Sequence, residues 1–239
     1  MKLFRSLLTI ILIFGLGACG GDKFVKNPMD DIIKSMPSGR IFSIVLNDMD
    51  VQGSFFKEFF HQYKIIEEVT EGKPEERITD WYKVEERVFE RHVNDMGMEL
   101  ASRGEDGKLK KGTSPPGYNN YIGNEKYGRW ENRGGNSFWV FYGQYAFMSS
   151  LFRTMMYPVQ RSYYDDYRRY SDRGRSYYGP TSGGRPYYGT RSDRNSSRTN
   201  TAWNNNRSNF KQRVANRTSR SGSRYGGSSS RSRGGGFGK

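Results

Sequence analysis

From residue 158 onward the chain has almost no aliphatic side chains. Residues 158–239 are built mainly of Ser, Arg, Asn, Gly and Tyr, and hold 16 Arg and 2 Lys against 4 Asp. That surplus of +14 equals the formal net charge of the whole 239-residue chain, so residues 1–157 balance to zero. Ordering a residue costs about 1–2 kcal/mol of conformational entropy, and this segment has little aliphatic surface to offset it. The composition therefore predicts a disordered basic tail over 158–239, carrying short repeats at Ser162-Tyr163-Tyr164, Ser176-Tyr177-Tyr178-Gly179-Pro180 and Pro186-Tyr187-Tyr188-Gly189. Any folded body must come from the residues before it.

Those residues predict an α+β body over 27–157, a small mainly antiparallel sheet with a short N-terminal helix and a longer aromatic helix. Asn27-Pro28, followed by Asp30 and Asp31, reads as a helix start. Pro37-Ser38-Gly39 ends that helix, and Arg40 to Leu46 is an apolar β-branched run of strand length. Tyr63, Ile65, Glu67 and Val69 alternate as a second strand, and Glu71-Gly72-Lys73-Pro74 is a turn. Trp81 to Phe89 fits strand or helix, and Gly97 to Arg103 leads into a hairpin-type loop at Gly104-Glu105-Asp106-Gly107. The aromatics of residues 115–130 suit a segment packed on this body. Phe138, Phe141, Tyr145, Met148, Phe152 and Met155 recur at helical spacing and predict one helix over about 137–156.

At the other end, Lys2 and Arg5 precede the apolar run Leu7 to Phe14 and a stretch of small residues. This is the layout of a signal peptide over 1–18, with 19–26 as a tether. The run is shorter than the roughly 20 apolar residues a membrane-spanning helix needs. It closes on Leu16-Gly17-Ala18-Cys19, and Cys19 is the only cysteine of the chain. One cysteine excludes an internal disulfide framework and a Cys-rich zinc site. The segment resembles the lipobox of bacterial lipoproteins, in which small residues admit the protease and the cysteine thiol takes up a diacylglycerol. The resemblance implies lipidation at Cys19, a further acyl chain on the new amino terminus, and an address in the bacterial cell envelope. Each buried methylene contributes about 0.8 kcal/mol, so several acyl chains give a stable anchor. Gly20 and Gly21 follow the cysteine and Asp22 comes later, which favours the outer membrane where the organism has one. The block 115–157 with the Tyr-Tyr-Gly repeats is also similar to a group of uncharacterised bacterial lipoproteins, over roughly residues 95–190, and this implies nothing about activity.

No catalytic motif stands out. Gly15-x-Gly17-x-x-Gly20 has the dinucleotide spacing without a βαβ context. Asp48-x-Asp50-x-Gln52-Gly53 resembles the start of a calcium loop, but Phe59 occupies the twelfth position, where a bidentate glutamate is required, so a polar turn is expected. The pairs Glu67-Glu68, Glu75-Glu76 and Glu85-Glu86 read as solvated charge, and His61 and His92 lack partners at metal-ligand spacing. The expectation is a non-enzymatic, lipid-anchored envelope protein without cofactor or metal. Its tail would contact anionic lipids or envelope polymers through Arg168, Arg169, Arg173, Arg175, Arg185, Arg231 and Arg233. An envelope enzyme or enzyme accessory with an unrecognised site is the first alternative, and convergence of Asp48, Asp50, His61 or His92 on a pocket would favour it. The second is nucleic-acid binding, since Arg interleaved with Tyr suits phosphate contact and base stacking; an envelope address argues against that partner.

Overall fold

The computed structural model describes residues 27–53, 55–70, 72–149 and 158–205. The expected signal segment 1–18, Cys19, the expected tether 19–26 and residues 206–239, with Arg231 and Arg233, lie outside the described residues. The first helix, α1 (Pro28–Ser35), starts where the proline and the two aspartates predict, although the Asn27 side chain makes no capping bond. Its Met29, Ile32 and Ile33 are buried.

Five strands follow: β1 (Phe42–Gln52), β2 (Glu58–Thr70), β3 (Lys73–Val84), β4 (Glu99–Arg103) and β5 (Leu109–Ser114). They form one antiparallel sheet in the order β3-β2-β1-β4-β5, so the fold class is α+β with a mainly antiparallel sheet. The ambiguous stretch 81–89 is both elements in turn, since β3 runs to Val84 and a short helix, α2 (Glu86–His92), takes over. The register shifts between Leu46 and Asp48, and this bulge is why Phe42, Ile44 and Leu46 share a face with Met49 and Val51. On that face they pack with Ile65 of β2, Leu100 of β4, Ile32 and Ile33 of α1, and Phe89 of α2.

The other face carries Ser43, Ile66, Glu99 and Ser102, and an aromatic layer covers one end of it. There Ile66 meets Tyr121, Tyr127 and Met148. Asn120 donates from Nδ2 to the carbonyls of Phe42 (3.0 Å) and Arg103 (3.2 Å), tying the segment to the ends of β1 and β4. The segment 115–130 is packed on the body, as its aromatics suggest.

Two expectations need correction. The helix predicted over 137–156 is not formed over 137–147; of its described residues only Met148 and Ser149 are helical. Instead β6 (Gly128–Arg133) and β7 (Asn136–Phe141) pair as a hairpin, a 3-10 turn at Gly143–Tyr145 follows, and residues 150–157 lie outside the described residues. Gly134 and Gly135 both have positive φ, +57° and +81°, as a two-residue loop that continues the strand twist requires. Phe138, Trp139 and Val140 are moreover residues that favour strands. The second correction concerns the tail, because residues 158–205 are packed on the body. They contain α3 (Arg161–Ser171), the two-residue strands β8 (Thr181–Ser182) and β9 (Arg185–Pro186), and the short helices α4 (Asp193–Ser196) and α5 (Ala202–Asn205). Tyr167, Tyr177 and Tyr188 are buried with Tyr118, Trp139 and Met98. A buried aromatic side chain removes about 150–250 Å² from water, so a segment poor in aliphatics can still pack when a surface exists to receive its rings. Among the described residues no helix is long and apolar enough to cross a membrane.

Candidate functional site

Strand β5 is an edge of the sheet, and α3 with the turn after it passes alongside. Between them lies a cleft of about 360 Å³ lined by Lys110, Lys111, Ser114, Asn119, Tyr167 and Arg175, with Thr113, Ser171 and Ser176 adding hydroxyls. Lys111 Nζ is 2.6 Å from Asp30 Oδ1, whereas Lys110 and Arg175 form no ion pair among the described residues. Both are exposed. The cleft thus joins two uncompensated cations to several hydroxyl donors, a set suited to anionic oxygen.

Behind the wall of this cleft is the fully buried Glu99. Asn119 Nδ2 donates to Glu99 Oε1 (2.6 Å) and to Ser114 Oγ (3.0 Å), Tyr167 donates to Asn119 Oδ1, and the Gly117 amide donates to Glu99 Oε2 (3.2 Å). Burial raises the Glu99 carboxyl above the ordinary range and outweighs the bonds from Asn119 and Gly117 that pull it down. Burial thus works against the charged form of the carboxyl behind the cleft wall.

A larger cleft of about 670 Å³ lies where the aromatic layer leaves the second sheet face open, over Val45, Gln62 and Lys64 and under Arg194 and Arg198. Its groups serve one another. Lys64 pairs with Glu76 (2.9 Å), Asn47 donates to Gln62 Oε1 (2.7 Å), and Arg198 donates to the Asn47 carbonyl (3.2 Å). Burial lowers Arg198, against an opposing pull from Asp48.

Of the residues that tempt a catalytic reading, His61 and His92 meet edge to face at 6.2 Å and Asp48 lines the larger cleft, but the four do not share one pocket. Asp48 and Asp50 sit within β1, so the polar turn expected there is strand. Asp48 accepts from the amides of Ala202 (2.6 Å), Trp203 (3.2 Å) and Met49 (2.8 Å), which makes it the anchor of α5, while Asp50 accepts from the Val51 amide (2.8 Å). His61 points into the aliphatic core beside Phe89 and bonds Tyr63 through Nδ1 (3.1 Å). Burial lowers its imidazole to about 3, with a smaller push the same way from His92. His92 instead meets Asp95 (2.7 Å), a buried carboxylate that also accepts from Thr113 (3.1 Å) and Tyr178. Among the described residues no group of three or more His, Cys, Asp or Glu could hold a metal ion. The acid pairs divide: Glu67 meets Arg77 (3.1 Å), but Glu68 is buried and accepts from the Tyr127 hydroxyl (2.7 Å), contrary to its reading as solvated charge.

Of the predicted arginines, Arg168, Arg169 and Arg173 are exposed on and just after α3, Arg169 pairs with Asp166, Arg175 enters the cleft, and Arg185 pairs with Asp193 (2.8 Å). Lys110, Lys111 and Glu99 went unnoticed at the sequence level. The run Lys108-Leu109-Lys110-Lys111 is a readable basic cluster, while Met98-Glu99-Leu100-Ala101 carries no mark of a buried carboxyl. No protein-family model, curated protein or solved structure matches the chain.

Proposed function

We propose that this chain is a lipid-anchored lipoprotein of the bacterial cell envelope, held through Cys19, whose non-enzymatic body and basic C-terminal segment contact anionic envelope components. The outer membrane is the favoured site where one exists, because no aspartate directly follows Cys19. The geometric observation that carries the reading is the cleft between β5 and α3, where Lys110 and Arg175 form no ion pair among the described residues and hydroxyls line the same cleft. Its chemistry suits a phosphate- or carboxylate-bearing polymer or lipid headgroup.

Metabolic labelling with a fatty-acid analogue tests the anchor: the unsubstituted chain takes up label and partitions with membranes, and Cys19→Ala remains unlabelled. The cleft is tested by binding to lipopolysaccharide and to anionic vesicles. Lys110→Glu with Arg175→Glu should weaken binding, and raising salt toward about 1 M, where the Debye length is about 3 Å, should weaken it further. No label in the unsubstituted chain overturns the anchor, and equal binding by the double variant overturns the cleft.

A further inference from the structure

The loop joining β1 to β2 holds two adjacent phenylalanines facing solvent. Phe55 is 97 % exposed and Phe56 89 % exposed, and no other large apolar side chain among the described residues is as open. One rung below, Val51 and Phe59 are buried opposite each other, and Phe59 packs on Phe89 at 5.1 Å.

Gly53 and Lys57 brace the turn that carries Phe55 and Phe56. Gly53 has φ +82°, and a Cβ placed on it would lie 2.0 Å from the Phe56 carbonyl oxygen, so no other residue fits without opening the loop. Lys57 Nζ donates to the Gly53 carbonyl (2.6 Å) and closes the same turn. Charges at the foot of the hairpin are paired, Lys83 with Glu58 (2.6 Å) and Arg87 with Glu85 (3.5 Å).

We propose that Phe55 and Phe56 form a wedge that enters the interfacial region of a lipid bilayer. Two phenylalanines can bury about 300–500 Å², ample for an interfacial contact; counted over both copies, a dimer through them would bury about 600–1,000 Å², at or below the smallest specific protein interfaces, which favours lipid over a second copy. Reach is consistent as well. Residues 19–26 can span at most about 28 Å when extended. Asp30 of α1 bonds Lys111, which shares a sheet row with Ala101 and Ile44, and the nine residues from Ile44 to Gly53 cover about 30 Å. A tether running beside β1 would therefore bring an anchored bilayer to the wedge. The proposal rests on the lipoprotein reading only for the presence of that bilayer.

The test uses the full mature chain with Cys19→Ser, so that no acyl group contributes, and phosphatidylcholine vesicles in about 1 M salt, where contacts with exposed charge are screened. The chain should co-sediment with the vesicles. Phe55→Ser with Phe56→Ser should bind at least tenfold more weakly at an unchanged melting temperature, and Phe56→Trp should show blue-shifted emission quenched by brominated acyl chains. Failure of the unsubstituted chain to bind, or equal binding by the double serine variant, overturns the wedge. So does a dimer in sedimentation that the double serine variant abolishes, since the rings would then meet a second copy. Because no arm depends on acylation, a negative labelling result at Cys19 leaves this test standing.

Discussion

The two faces of the sheet are covered by different chemistry. On one, Phe42, Ile44, Leu46, Ile65 and Leu100 meet α1 and α2 in an aliphatic core of the ordinary kind. On the other side of the molecule, Tyr118 stands among Tyr164, Tyr167 and Tyr188 at ring separations of 5.9, 5.2 and 6.0 Å, and Trp130 packs on Trp139 at 5.2 Å. Aliphatic side chains need only be withdrawn from water, whereas a buried tyrosine also carries a hydroxyl that costs free energy when unpaired, as the Tyr177 hydroxyl is among the described residues. Tyr118 shares a bond with Tyr188 (3.1 Å), Tyr127 bonds Glu68, and Tyr178 bonds Asp95. The aromatic layer is thus tied to Glu68 of β2 and to Asp95 in the loop before β4.

Acid should separate the halves most strongly. His61 titrates near 3 in the folded chain against 6.5 when free, so the unfolded state binds the extra proton between those values and stability falls as pH drops through that window. The full loss attributable to this group is of the order of 5 kcal/mol. Denaturation followed over that range should show the loss in the unsubstituted chain and a flatter profile in His61→Phe; parallel profiles would break the argument. Glu99, at the seam with the aromatic layer, has the opposite sign. Its raised carboxyl means that stability is greatest below the ordinary carboxylate range and declines as pH rises toward the folded value, and Glu99→Gln should remove that decline.

Tyr118→Ala should cost about 3–5 kcal/mol, in the range for deleting a buried aromatic ring. Its signature should be early proteolysis within 158–205, while Leu46→Ala, costing about 2–5 kcal/mol, should expose both halves together. Equal cleavage patterns would show that the aromatic layer is no separate unit. Asp48→Ala should cost about 1–3 kcal/mol, because it strips the acceptor from the amides of Ala202 and Trp203. Hydrogen exchange at those two amides should speed up first. The smallest effect belongs to Arg175→Glu, within about 0.5 kcal/mol of the unsubstituted chain, because the side chain is exposed and without an ion pair among the described residues.

The aliphatic half was legible in the sequence because its signals are local. Pro28 and two aspartates mark a helix, a β-branched run marks β1, and Gly104-Glu105-Asp106-Gly107 marks the β4–β5 hairpin. The aromatic half was misread for two physical reasons. The 3,4 spacing from Phe138 is helical on paper, yet Gly134-Gly135 sets a hairpin before a helix could begin, and that pair was the available clue. In 158–205 the low aliphatic content points to disorder, although Tyr167, Tyr177 and Tyr188 supply buried area. The cleft was half visible: Arg175 was among the expected contacts, while Lys110 and Lys111 join it only through the sheet edge.

The anchoring of α5 on β1 bears on the order in which the chain can assemble. Asp48 and the amides of Ala202 and Trp203 are 154 and 155 residues apart in sequence, and Asn195 reaches back 99 residues to the Met96 carbonyl. Contacts at such separations close late, because the loop entropy must be overcome before any bond rewards it. The sheet's hairpins can form as soon as their strands exist, but the clasp over them waits for residue 203. A chain threaded from its N-terminus would hold a sheet with one incomplete face until then, and any factor shielding apolar surface would be needed most during that interval.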